Sequence, residues 1–138
     1  MKASLIRSED EHHWVLLEHR VVQVSVDPAS VRIQSWGVDG SVEVRLAAPF
    51  ALVLPSGVRR EMDPHVSESL APLLSLVRRP LRALTIGRRG ELACDFGDGA
   101  TLTATSGTRR EGWEVQGGGV LEGMSYRSDA LGEMWGEE

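Results

Sequence analysis

The residues best equipped for chemistry lie together in Ala93-Cys94-Asp95-Phe96-Gly97-Asp98-Gly99-Ala100. An Asp-Phe-Gly tripeptide can place its carboxylate on a phosphate-bound magnesium ion, and a second aspartate three residues on would add another oxygen ligand. That chemistry also needs a glycine-rich phosphate loop, a strand lysine, and a catalytic-loop aspartate with its asparagine. The only lysine in the chain is Lys2, and the other parts are missing. A calcium loop fails as well, since it wants oxygen ligands at alternate positions and a bidentate glutamate at the twelfth. What Gly97-Asp98-Gly99 does supply is a run that tolerates positive φ, the requirement of a tight hairpin between right-twisted strands. The stretch therefore reads as a hairpin turn, with Asp95 facing solvent, Asp98 bonding its own turn backbone and Cys94 a buried thiol.

The other candidates point the same way. His12 and His13 are adjacent, with His19 nearby and His65 distant, whereas metal-binding histidines recur at spacings such as i, i+4 on a helix. They read as solvated side chains in an arm. Four arginine doublets, Arg59-Arg60, Arg78-Arg79, Arg88-Arg89 and Arg109-Arg110, would have to converge to hold a phosphate-rich ligand. Few aromatic residues interleave with them to stack on bases, so a solvated surface is preferred. Gly117-Gly118-Gly119 lacks the strand-then-helix setting and the following lysine of a phosphate loop, and reads as a flexible bend. No catalytic residue, cofactor or metal ligand is expected. Among the tryptophans, Trp36 and Trp113 are expected in the core or packed on a hairpin. Trp135, with Glu133, Glu137 and Glu138 around it, is the candidate partner-binding patch, because an indole on an acidic rim suits a basic protein.

These residues must be carried by a chain of 138 residues, 41% apolar and 25% charged, which is the size and balance of one ordinary domain. A single cysteine cannot form an internal disulfide, and neither a leader segment nor a bilayer-length apolar run is recognised, so a cytoplasmic protein is expected. The net charge of −5 is unevenly spread: −2 over residues 1–54, +3 over 55–110 and −6 over 111–138. Phosphate affinity comes from lysine and arginine, so this balance argues against a general nucleic-acid binder and favours a basic partner.

Residues 1–13, ending in Ser8-Glu9-Asp10-Glu11-His12-His13, read as a flexible arm, with a single globular domain over 14–138. Val22, Val24 and Val26 alternate with polar residues as in a half-buried strand, and Asp27-Pro28-Ala29-Ser30 turns the chain. Val31 to Trp36 and Ser41 to Leu46 alternate again around Gly37-Val38-Asp39-Gly40, completing a three-strand meander. Pro49 and Pro55 keep a strand over Phe50 to Leu54 short or at an edge. Over about 67–79, Leu70, Leu73, Leu74 and Val77 recur at helical spacing, with Ser67 or Ser69 as cap, Pro72 in the first turn and Pro80 as the stop. Strand patterns resume at Leu81 to Ile86, Leu92 to Phe96 and Leu102 to Ala104. Val24-Ser25-Val26 aligns with Leu84-Thr85-Ile86, and Trp36-Gly37-Val38-Asp39-Gly40 with Phe96-Gly97-Asp98-Gly99, which suggests an internal repeat. Trp113-Glu114-Val115 opens a further strand.

The paired alternating strands, Pro49-Phe50 before a short strand, Leu70-Ala71-Pro72-Leu73-Leu74 and the late Trp113-Glu114-Val115 resemble a small family of uncharacterised actinobacterial proteins, a domain of unknown function. The resemblance spans roughly Val21 to Trp135. It implies a small β-rich fold and brings no catalytic residues.

The expected fold is α+β: mainly antiparallel sheet from two repeated meanders, with one principal α-helix, about 67–79, between them. The expected function is that of a cytosolic protein-binding module without enzymatic activity, in its sharpest form an immunity-type protein that blocks a basic toxin. Two alternatives stand beside it: a small pocket protein or enzyme that holds an anionic ligand through arginines, and a self-associating structural domain. Nucleic acid and membrane are not expected partners, and a homo-oligomer remains open.

Overall fold

The computed structural model describes residues 4–105, 112–119, 121 and 123–128. Period-two alternation sets the strands. In β3 (Val31–Gly37) the side chains of Val31, Ile33 and Ser35 are buried, while Arg32 and Trp36 face out. In β4 (Gly40–Leu46) Val42, Val44 and Leu46 are buried. The remaining strands are β1 (Ser4–Arg7), β2 (Glu11–Val26), β5 (Phe50–Val53), β6 (Arg59–Met62), β7 (Pro80–Gly87), β8 (Leu92–Asp95), β9 (Thr101–Ala104), β10 (Trp113–Gly119) and β11 (Ser125–Arg127). They join in one sheet of order β11-β10-β4-β3-β2-β7-β8-β9-β5-β6, with β1 on β2, and the neighbours pair antiparallel. The meander β2-β3-β4 and the meander β7-β8-β9 thus lie side by side, joined where β2 pairs with β7. Strand β10 extends the first meander and β5 the second.

Strand β2 is the axis of this arrangement. Its first half lies between β1 and β7, and its second half pairs with β3. Between the halves the register against β7 shifts from Val15 to His19, and Glu18 takes φ 53°. A second shift, between Val21 and Gln23, leaves Val22 exposed where alternation predicts a half-buried face, and Val21 takes the buried place. One hydrophobic cluster draws on both meanders, including Ile33, Val44, Leu84, Leu92 and Leu102. Trp113, 1% exposed, donates its indole N–H to the Gly90 carbonyl in the β7–β8 turn at 2.8 Å. Tyr126 on β11 accepts from Trp14 Nε1 at 2.9 Å. The β4-β10-β11 side of the sheet therefore comes back over the first half of β2 and over the β7–β8 turn.

Three expectations are corrected. The arm expected over residues 1–13 is, from Ser4 onward, largely strand: β1 pairs with His12–Val15, and His12 is buried. The missing apolar period misled, because these residues are held by β-ladder bonds and a buried histidine rather than by an apolar stripe. The α-helix expected over 67–79 is a 3₁₀ helix over Ser67–Leu76. Its buried residues are Leu70, Leu73 and Leu76, while Leu74 stands 68% exposed. Three residues per turn put every third side chain on one face, so Leu76 replaces Leu74 and Val77. Pro72 lies inside the helix, Val66 is its N-cap with no side-chain cap bond, and Arg78 at φ 77° leaves the helical region. Finally, the glycines at 117–119 do not bend out of the ladder but continue β10 against Val42, Ser41 and Gly40. A Cβ on Gly117 would overlap the Leu121 backbone, so the loop that leads to β11 can lie against this strand only where side chains are missing.

Candidate functional site

The Asp-Phe-Gly-Asp stretch is the β8–β9 turn. Phe96 donates its backbone N–H to the Ala100 carbonyl at 3.0 Å, and Gly97, Asp98 and Gly99 all have positive φ. Asp95, not Asp98, caps the turn, its Oδ1 accepting from the Gly97 N–H at 2.9 Å. Asp98 instead points toward Arg79, 3.8 Å away. Cys94 is fully buried in β8, and burial pushes its thiol pKa up to about 12, so it carries no thiolate at neutral pH. Among the described residues no group of three or more His, Cys, Asp and Glu side chains is placed to hold a metal ion, and no helix is long and apolar enough to cross a membrane. The expected partner-binding residues Glu133, Trp135, Glu137 and Glu138, and the doublet Arg109-Arg110, lie outside the described residues. The other doublets sit on β6, after the 3₁₀ helix and in the β7–β8 turn.

His12, His13 and His19 are not solvated arm residues, whereas His65 is exposed. His12, 7% exposed, places Nδ1 2.8 Å from the Tyr126 hydroxyl. Burial, with Arg7 nearby, holds its pKa below the usual imidazole value, and burial pushes that of Tyr126 up. Since the hydroxyl accepts from Trp14, its own hydrogen is available to a neutral His12 ring. His13 Nδ1 meets Thr85 Oγ1 at 2.8 Å. His19, 1% exposed, pairs through Nε2 with Asp39 Oδ1 and meets Ser35 Oγ with Nδ1 at 3.2 Å. Serine, histidine and aspartate in sequence form the inventory of a nucleophilic triad. Here Ser35 is 0% and Asp39 3% exposed, so no substrate carbonyl can reach the hydroxyl. The set works as a buried clamp: Asp39, from the β3–β4 turn, reaches across β3 to His19 on β2. A Cβ on Gly37 would overlap the His19 ring, so that glycine makes room for the clamp.

The surface most able to bind is the outer face of β2-β3-β4-β10-β11. Register aligns its side chains into cross-strand rows. Ser25, Arg32, Arg45, Glu114 and Arg127 form one; Gln23, Gln34, Glu43, Gln116 and Ser125 the next; Arg20, Trp36, Ser41 and Gly118 a third. The first row is partly charge-compensated, three arginines against two carboxylates: Arg32 lies 3.6 Å from Asp27, and Glu114 lies 3.7 Å from Arg45 and 3.9 Å from Arg127. In the second, Gln34 Nε2 donates to Glu43 Oε1 at 3.1 Å. At the end of the face Trp36 is 59% exposed and Val38 69%. Gln34, Trp36, Ser41, Glu43, Gln116 and the bare backbone of Gly117 and Gly118 line an open recess of about 200 Å³.

Trp36, expected in the core or packed on a hairpin, stands outside the core at the β3–β4 hairpin. Its place in the alternation, two residues from Gln34 and four from Arg32, is the signal that assigns it to the polar face. The same parity test applied to Ser41-Glu43-Arg45 and Glu114-Gln116-Gly118 recovers the rest of the recess. What periodicity does not supply is that β10 lies against β4, which brings Gln116 and Gly118 beside Glu43 and Ser41.

Residues 14–126 match the model of a family of unknown function, DUF6188, and the chain belongs to that family. No curated protein and no solved structure matches it.

Proposed function

We propose that this member of the DUF6188 family is a cytosolic binding module that recognises another protein through the outer face of β2-β3-β4-β10-β11. In the sharpest form of the reading it is an immunity-type protein that occludes a basic toxin. One observation carries it: a tryptophan stands 59% exposed at the end of a sheet face lined with hydrogen-bonding side chains, beside a recess floored by glycine. Indole and guanidinium groups dominate the energetics of protein interfaces, and Trp36 stands here with Arg20, Arg32, Arg45 and Arg127. The net charge of −5 supports a basic partner. The strand order, with the two meanders side by side about the β2–β7 pairing, supports a further part of the proposal, that they descend from one duplicated unit.

The test is capture from the native host with the folded chain as bait, followed by reconstitution of a purified one-to-one complex. Recovery of one basic protein whose activity the complex suppresses, with affinity lowered about thirtyfold or more by Trp36→Ala, is the expected result. Return of nothing but further copies of the same chain would remove the toxin-blocking reading.

A further inference from the structure

The recess beside Trp36 has a definite chemical preference. Its lining is rich in hydrogen-bond acceptors. Glu43 contributes a carboxylate; Gln34, one of whose two amide N–H groups is given to Glu43, offers its carbonyl oxygen; Ser41 adds a hydroxyl and Gln116 an amide. Glu43 is the one charged residue among those that line it. One wall is the indole of Trp36. The floor is backbone, because Gly117 and Gly118 carry no side chains; a Cβ on Gly118 would come within 2.6 Å of Ser41 Oγ.

A ligand for such a place should be flat, rich in donors, without acceptors, positively charged and able to lie against an aromatic face. A guanidinium meets each requirement: five N–H donors in a plane, no acceptor, a permanent charge and favourable stacking on indole. A carboxylate or phosphate brings acceptors in place of donors and the wrong sign of charge. Two of the arginines around the recess are offset by carboxylates, while Arg20 has a neutral carbonyl partner and keeps its charge. Arg20 donates to the Arg78 carbonyl at 3.0 Å, Arg32 lies near Asp27, and Arg45 lies near Glu114.

We infer that the Trp36–Glu43 recess is a subsite for the side chain of an arginine presented by a protein partner. Trp36 stacks on the guanidinium, Glu43 takes its charge, and Gln34, Ser41 and Gln116 accept its outer N–H groups. This rests on the protein-binding reading above and names the partner residue that reading needs.

Nα-acetyl-arginine amide, added to the ¹⁵N-labelled full chain, probes the subsite directly. Saturable shifts of the Trp36 indole N–H and of the Gln34 and Gln116 side-chain amides are expected. Nα-acetyl-citrulline amide, the neutral isostere, should bind about fivefold or more weaker, and Glu43→Gln should cost arginine binding a similar factor. Trp36→Phe keeps an aromatic wall and should retain part of the affinity that Trp36→Ala loses. Equal binding of arginine and citrulline, shifts confined to another surface, or no saturable shift would each overturn the inference. The two readings fail separately. A captured partner whose affinity survives Glu43→Gln sinks the subsite and leaves the binding module. Arginine binding with no protein partner keeps the subsite and sinks the module.

Discussion

The two meanders place their outer faces in the same kind of register and fill them with different chemistry. Across β7, β8 and β9 the outward row runs Thr85, Ala93 and Thr103, ending at the buried Ala51 on β5, with Ala83, Asp95, Thr101 and Val53 beside it. Apart from Asp95 these are short, uncharged side chains, none with a reach beyond a methyl or hydroxyl. The matching surface of β3, β4 and β10 carries Arg32, Gln34, Trp36, Glu43, Arg45, Glu114 and Gln116, long and planar groups that extend well above the backbone. The ladder sets where side chains stand, and their chemistry decides whether a surface can hold anything. One half of the sheet carries short outward side chains and the other long polar and aromatic ones.

Two tryptophans put that contrast to the sharpest test. Trp113, buried and bonded to Gly90, ties β10 to the turn of the other meander, so Trp113→Ala should cost about 3–5 kcal/mol in denaturant unfolding. A loss within the range of surface substitutions would mean that the halves are not joined there. Next comes the clamp beneath the contact face. Asp39→Ala leaves the buried His19 without its carboxylate and should cost about 3 kcal/mol, with Asp39→Asn costing less because it keeps a hydrogen-bond acceptor. Asp39 Oδ2 has no partner of its own among the described residues, so the pair is held by Oδ1 alone. Equal losses for Ala and Asn would show that charge, not hydrogen bonding, holds the turn. Gly37→Ala pushes a methyl into the His19 ring and is expected to cost about 1–3 kcal/mol, with a wild-type melting curve as the contrary result.

Acid should then loosen the place where β11 meets β2. His12 has its folded-state pKa below the unfolded value of about 6.5, so the unfolded chain binds the proton first. Its contribution is complete above that pH and is lost progressively as pH falls below it toward the folded value. His12→Gln should flatten the pH dependence of stability between pH 7 and 5; an unchanged slope would assign the effect to other groups. The smallest effect on stability belongs to Trp36→Ala, within about 0.5 kcal/mol, because the indole stands mostly in water. A larger loss would make Trp36 part of the scaffold and erase the contrast with Trp113.

Much of this architecture can be read along the chain. Strict alternation over Val31–Trp36 and Ser41–Leu46 marks the first meander, Leu84 to Ala104 marks the second, and the Gly97-Asp98-Gly99 turn explains itself by its φ angles. The losses come where a residue answers to something distant. His12 and His13 look solvated in sequence because Tyr126 and Thr85, their partners, lie 114 and 72 residues away. Val22 misplaces itself because a register shift at one position turns it outward. The leucines of residues 70–76 satisfy both a 3.6-residue and a three-residue period over so short a run, and only the packing against β2 and β6 separates them. The recess is legible by parity on each of its strands, but its existence depends on β10 crossing back to β4.

The long second strand has a consequence for how the chain acquires its structure. During synthesis β2 emerges before β7, and its first half can meet β1 and its second half β3 without waiting for it. Its other edge must wait for β7, as the His13–Thr85 contact across 72 residues shows, and the Tyr126 cap on His12 waits longer still, across 114. Chains dominated by such distant pairings fold on the order of milliseconds to seconds, and an unpaired edge is exposed meanwhile to any other strand.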